Sequence, residues 1–303
     1  MKTVESVGKK GGLFCYLITP FDHDGKVNHD ALERYVDAIV ESGADGLTCV
    51  ASTTEGPYLT EKERFSVVKT VCDTNNGRVP VNVGIGGFST AQSLLYAENA
   101  HKNGASTMML EMQTYLPNRV TFSAAHQHYA EIARASDIPI RLYNIPSTTR
   151  FDFTPPQIAD MADIEGIDSV KDATGIGSRV QEIKSLCGDR FSLFCGLHYV
   201  AMESYQYGAI GWEGAFHPLF AKEITALHKL LRKGDYVEGK QLYLRLEPLF
   251  TFFKFYGVPE CIKAMSAWTD INLGEPRRPL PGLSQAQRDG LKDVMTNLGV
   301  FDQ

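Results

Sequence analysis

Short apolar runs alternate with longer amphipathic stretches along almost the whole chain. A compact apolar run bounded by turn formers fits a buried strand, whereas apolar positions three and four apart fit one face of a helix. This pattern predicts eight strands, at 13–20, 47–52, 79–84, 107–112, 139–144, 167–171, 192–196 and 209–213. Strands separated by helices are the mark of parallel βα units, and eight such units close a barrel. Helix starts are predicted where a hydroxyl residue precedes a glutamate or glutamine by three, at Thr60–Glu63, Ser89–Gln92, Thr154–Gln157 and Ser178–Gln181. In the first helix Leu32, Tyr35, Val36, Ile39 and Val40 form one apolar face that should lie on the sheet. Gly43, Gly104 and Gly208 occupy similar helix-to-strand turns, where a helix C-terminus favours positive φ.

After residue 220 the strands stop, and helices are expected at about 220–233, 235–256, 258–269 and 284–298, with a proline-rich bridge over 275–281. The expected fold is therefore α/β, a (β/α)₈ TIM barrel over residues 1–233. A helical extension over 234–303 is expected to pack on it.

The length of 303 residues suits one barrel with an extension, since such a barrel uses about 250 residues. With 43% hydrophobic and 22% charged residues the chain can bury a large core, so disorder is not expected. Its net charge of -6, without a run of lysine or arginine, speaks against a nucleic-acid partner. Cys15, Cys49, Cys72, Cys187, Cys195 and Cys261 form no C-x-x-C pair, so a zinc ribbon or redox motif is not expected. They read as reduced thiols of a cytoplasmic protein. The apolar stretch from Leu13 to Ile18 is interrupted by Pro20 and Asp22 and reads as a strand rather than a signal peptide, and nothing approaches a membrane span.

Catalytic groups of such barrels sit at the C-terminal ends of strands and in the loops that follow. Lys171 ends the run from Ile167, where partial burial would lower its pKa and make it a usable nucleophile. On the local sequence alone, a snorkelling surface lysine is the commoner occupant of such a position. Tyr143, in Leu142–Asn144, ends another strand and is suited to relaying protons, or simply to packing. Ser52, Thr53 and Thr54 follow the second strand; their hydroxyls suit a carboxylate, or a plain turn before the next helix. The glycines of Gly84–Gly87 resemble a phosphate loop, but Ser89 stands where its third glycine belongs. Glu111, Asp172, His198 and His217 fall near strand ends, so metal-dependent chemistry is entertained, although no pair shows ligand spacing on one element. His126 and His128 should face different ways on a helix.

Taken in order, Ser52–Glu55, Tyr143–Pro146, Val170–Gly175 and Cys195–Gly196 resemble the motifs of the dihydrodipicolinate synthase and N-acetylneuraminate lyase superfamily, whose members work through a Schiff base. The resemblance runs from Ile18–Phe21 to the helical C-terminus. It implies that Lys171 forms an imine with pyruvate or a longer 2-keto acid, that Tyr143 relays protons beside it, and that Ser52 and Thr53 bind the keto-acid carboxylate, with Ser52 also in the relay. Tyr115 matches the family's second tyrosine, which in many members reaches a neighbouring subunit's site, and Gly196 would shape the pocket through its backbone. A homo-oligomer, tetramer or dimer, is implied, and no metal or organic cofactor is required.

Three departures stand out. Ala51 and Thr54 occupy positions where the family usually has glycine, so their backbone must avoid positive φ or accept strain. Synthases usually carry an arginine five residues after the relay tyrosine to grip the second substrate; here that position is the neutral Thr148, with Arg150 two residues further on. Leu197, His198 and Tyr199 follow Gly196 in place of the synthase's usual acidic pair. The expectation is a Schiff-base lyase, aldolase or hydro-lyase, acting on pyruvate or a longer 2-keto acid. Authentic 4-hydroxy-tetrahydrodipicolinate synthase is the first alternative. A non-catalytic 2-keto-acid-binding homologue and a metal-dependent lyase using Glu111 or His198 are the others.

Overall fold

A computed structural model of the protein describes residues 10–301. Eight strands appear at the predicted places, although β1 stops at Tyr16 and not at residue 20: β1 (Gly12–Tyr16), β2 (Gly46–Cys49), β3 (Val81–Gly84), β4 (Thr107–Glu111), β5 (Ile140–Asn144), β6 (Ile167–Asp172), β7 (Ser192–Cys195) and β8 (Gly211–Gly214). They hydrogen-bond in chain order and close into a barrel. The helices that alternate with them are α1 (His29–Glu41), α2 (Glu61–Asn75), α3 (Thr90–Lys102), α4 (Phe122–Arg134), the single turn α5 (Pro146–Thr149), α6 (Pro155–Asp160), α7 (Arg179–Cys187), α8 (Ala201–Gln206) and α9 (Pro218–Lys233). Helices α10 (Tyr236–Tyr256), α11 (Val258–Ser266) and α12 (Gln285–Asn297) follow, so the fold is a (β/α)₈ barrel with a C-terminal helical extension. No helix among the described residues is long and apolar enough to cross a membrane. All six cysteines are free thiols.

Local chemistry explains the element ends. Thr60 and Thr154 close capping boxes with Glu63 and Gln157, and a further box, Ser284 with Gln287, starts α12. The box expected at Ser178 does not form: that residue already has helical angles (φ -63, ψ -20) and its side chain caps nothing. Here the chain enters the helix through a tight turn in which the Arg179 N–H bonds the Ile176 carbonyl. Gly43, Gly104 and Gly208 all take positive φ, as a chain leaving a helix for a strand requires. On α1 the buried face is Ala31, Leu32, Tyr35, Val36 and Ile39, with Val40 at its half-buried edge.

Among the described residues, contacts group 10–12 with 80–213 into one compact unit and 13–79 with 214–301 into another. In the first unit, parallel register places Glu111 beside Tyr143, Tyr143 beside Lys171, and Lys171 beside Phe194. Paired residues of parallel strands point to the same face of the sheet. That face is the barrel interior. Glu213 of β8 accepts from Asn82 of β3 at 2.8 Å and from Arg141 of β5 at 2.9 Å, and side chains of three non-adjacent strands can meet only inside. The alternate face holds Asn144 and Asp172. Asn144 donates to Asp152 and Asp172 at 2.9 and 3.2 Å, and Arg179 pairs with Asp152 at 2.9 Å, so this outer network ties the ends of β5 and β6 to the segment before α6.

In the second unit β1 pairs with β2, and Gly46 makes that possible: a Cβ there would lie 2.4 Å from the Phe14 ring. The extension supports the loop after β2. Lys263 of α11 forms a buried ion pair with Glu55 at 2.7 Å. The Arg277 backbone N–H donates to the same carboxylate at 2.7 Å, while its guanidinium grips both oxygens of Glu63 at 2.8 Å. Burial holds the Lys263 ammonium down to about 8, against the pull of Glu55.

Candidate active site

Lys171 stands on the interior face at the C-terminal end of β6 and is 1% exposed. Strand alternation separates it from its neighbour, since Lys171 points inward and Asp172 outward. Its Nζ lies 4.0 Å from the centroid of the Tyr143 ring, itself only 2% exposed. Burial pushes the ammonium down to about 7, and Arg141 adds to the effect, while Glu213, Cys195 and Glu111 oppose it. An amine with that proton affinity is substantially neutral near pH 7, which is what a nucleophilic lysine needs. Gly196 leaves it room: a Cβ would come within 2.9 Å of Lys171 Cε and 2.7 Å of the Asp172 carbonyl. The neutral fraction falls about tenfold for each pH unit below the pKa. Single-turnover imine formation is therefore expected to drop about tenfold per unit below pH 7, and a rate constant unchanged between pH 5 and 8 would contradict the assignment.

The loop after β2 belongs to the second unit. Its backbone meets the loss of the family glycines by moving the unusual conformation elsewhere. Ala51 and Thr54 avoid positive φ, and the left-handed residues are Val50 (φ 47) and Glu55 (φ 63), on either side of them. For a β-branched valine this is strained backbone, held in place by its surroundings. It also ends β2 three residues earlier than the sequence pattern suggests. The Ala51 carbonyl accepts from Thr54 N, Thr54 Oγ1 and Gly56 N, and the buried Glu55–Lys263 pair anchors the turn from behind. Thr54 is thus spent on the turn. Ser52 Oγ is buried with no hydrogen-bond partner among the described residues, and Thr53 is half-buried beside it. A buried hydroxyl without a partner carries a desolvation cost that a ligand oxygen would relieve.

The remaining sequence candidates separate clearly. Tyr115 is 87% exposed on the loop after β4, so the structure does not bring it into the buried cluster of its own chain. Thr148 is exposed on α5, and Arg150, also exposed, follows it with φ 59. Thr149 is buried, its hydroxyl donating to the Ile145 carbonyl at 3.1 Å. Asp172 is raised by burial and held by Thr174, Arg179 and Asn144, a structural role. His217 caps α9, accepting from Leu219 N at 3.3 Å, and burial lowers it to about 4. His198 stacks edge-on against Trp212 at 5.5 Å. Among the described residues no three of His, Cys, Asp and Glu come together as a metal-binding group. His126 bonds Asp163 and His128 bonds Thr90, on different sides of α4 as expected.

The Arg141–Glu213 pair was not anticipated from the sequence. Arg141 precedes Tyr143 by two residues and so shares its face, a period-two signal that the apolar reading of β5 passes over.

Comparison with known proteins gives the family of the chain. Residues 9–298 match the model of the dihydrodipicolinate synthetase family. A 4-hydroxy-tetrahydrodipicolinate synthase of Pelobacter propionicus is 31% identical over 290 residues, covering 96% of this chain and 99% of that protein. The solved structure of 4-hydroxy-tetrahydrodipicolinate synthase from Methylacidiphilum fumariolicum superposes with a TM-score of 0.90 at 28% identity, over 95% of this chain and 96% of that one. Dihydrodipicolinate synthase from Aquifex aeolicus gives 0.91 at 26% identity, over 96% and 98%.

Proposed function

Because the chain belongs to the dihydrodipicolinate synthetase family and is a class I lyase, we propose that it is a 4-hydroxy-tetrahydrodipicolinate synthase that joins pyruvate, held as an imine on Lys171, to aspartate semialdehyde. The observation that carries the chemistry is the buried Lys171 amine, held to about 7 over the Tyr143 ring. Its lone pair attacks the pyruvate ketone, water leaves, and the protonated imine becomes an electron sink for the neighbouring carbon. Loss of a proton from that carbon gives an enamine, which adds to an aldehyde. The imine supplies the activation, so this route calls on no cofactor.

Tyr143 is assigned to proton transfer as the carbinolamine loses water. Ser52 and Thr53 are assigned to the keto-acid carboxylate, a role supported by the buried, unpartnered Ser52 hydroxyl. Exposure of Tyr115 supports the view that it serves a neighbouring subunit in a homo-oligomer.

The full-length relatives that carry the synthase name favour this reading over the broader expectation drawn from Thr148. A second reading rests on Thr148 itself: a neutral, exposed residue where synthases usually hold an arginine suits a lyase with an uncharged partner or a longer 2-keto acid. Assay with pyruvate and aspartate semialdehyde, following the cyclic product by mass spectrometry, separates the two. The synthase reading expects saturable turnover with this pair above any other aldehyde. Turnover of a longer 2-keto acid, with none of this pair, would replace it.

A further inference from the structure

A second group on the interior face is not used by the steps above. β4 ends on Glu111, which is 3% exposed and lies in register with Tyr143, whose other neighbour is Lys171. Adjacent strands lie about 4.8 Å apart, so the Glu111 and Lys171 backbones stand about 10 Å apart with Tyr143 between them. A keto acid joined to Nζ would start from a point 4.0 Å from the centroid of the Tyr143 ring, in the interior layer that Glu111 shares.

The chain makes room for this carboxylate. A Cβ on Gly86 would lie 2.7 Å from the Glu111 carboxyl carbon and 2.9 and 3.0 Å from its oxygens. Gln113 donates to it at 3.1 Å and fixes its orientation. The other interior carboxylate, Glu213, is committed to the fold, with one oxygen held by Arg141 and the other by Asn82. A phenol ordinarily keeps its proton to about pH 10, so a carboxylate is the stronger base candidate for taking a proton from carbon near neutral pH. In the iminium a positive charge stands at Nζ, where a carboxylate in the same layer stabilises it.

We propose that Glu111 is the general base and acid that moves the proton on the carbon next to the imine. This rests on the Schiff-base reading and adds a residue to it. The carboxylate takes a proton from that carbon; the C–H pair becomes the C=C bond and the C=N π pair returns to Nζ. The products are a neutral enamine and a protonated Glu111, and the reverse step gives the proton back.

The test follows exchange of pyruvate methyl hydrogens for deuterium by NMR in D₂O, with borohydride trapping of the Lys171 imine run in parallel. Glu111→Gln is expected to trap pyruvate as the wild type does while exchange falls by about 100-fold or more. Gly86→Ala, which pushes the carboxyl group out of place, should lower exchange by about tenfold with trapping retained, and Glu111→Asp should restore part of what glutamine loses. Exchange in Glu111→Gln within about threefold of wild type would overturn the proposal. So would loss of trapping in a variant that melts normally, because Glu111 would then act before the carbon chemistry. Should the glutamine variant fail to fold, wild-type exchange by Gly86→Ala overturns it instead. Absence of trapping in the wild type would point to the Schiff-base reading as the one that fails.

Discussion

Lys171→Met removes turnover, by about 10⁴-fold or more, the scale on which loss of a covalent nucleophile acts, and leaves the protein at least as resistant to heat. The two effects have one cause. Lys171 is buried on the interior face, and the depressed proton affinity that makes its amine reactive records the cost of holding an ammonium there. Methionine has similar length and no charge to desolvate, so the fold loses nothing it needs. Burial of this amine also makes stability depend on pH. The folded lysine titrates at about 7 and the unfolded one near its ordinary 10.5, so between these values the unfolded chain binds more protons. This group therefore makes the wild type more stable as pH rises through that window, and its contribution is flat below 7, where both states are protonated. Lys171→Met should lack the rise. Thermal melts of both proteins at pH 6, 7.5 and 9, beside activity assays, check both statements; a variant that keeps substantial activity refutes the first.

Arg141→Met is expected to cost about 3–5 kcal/mol of stability, because it removes the cation that balances the buried Glu213 carboxylate. The pair is 2.9 Å apart with both side chains fully buried. Arg141 also bonds Ser169 at 3.3 Å and lies 3.6 Å over the Phe194 ring, the strand neighbour of Lys171. Breaking one partner should therefore disturb the floor beneath the nucleophile as well as the fold. Replacing both, as in Arg141→Met with Glu213→Gln, should recover most of the loss, since a neutral pair of similar volume carries no stranded charge. Urea titration of the two single variants and the double variant gives the coupling directly. A midpoint for Arg141→Met equal to that of wild type would show that the pair contributes nothing.

The barrel was legible because its strands are short buried runs between amphipathic helices, and because glycine marks turns such as Gly43 and Gly208. The misplaced end of β2 was not legible. Nothing in the identity of Val50 announces φ 47, which the Ala51 carbonyl contacts and the Glu55–Lys263 pair impose from across the sequence. At the site, Lys171 and Tyr143 were found through strand-end position and the order of the motifs, and register places them side by side. Asp172 was suspected as a possible metal ligand near a strand end, whereas strand alternation turns it outward into the Asn144 network. Arg141 and Glu213 were passed over because charged residues inside a strand read as exceptions until the partner on a distant strand is known. Glu111 was noted as a possible metal ligand, and only the register with Tyr143 gives it a different part.

Every later step depends on imine formation at Lys171. Incubation with pyruvate and borohydride, followed by peptide mass mapping, tests it most directly. One reduced pyruvate adduct per chain is expected, on Lys171, and none on Lys171→Met. A folded wild-type protein that gains no adduct at Lys171, or gains it at another lysine, would contradict it.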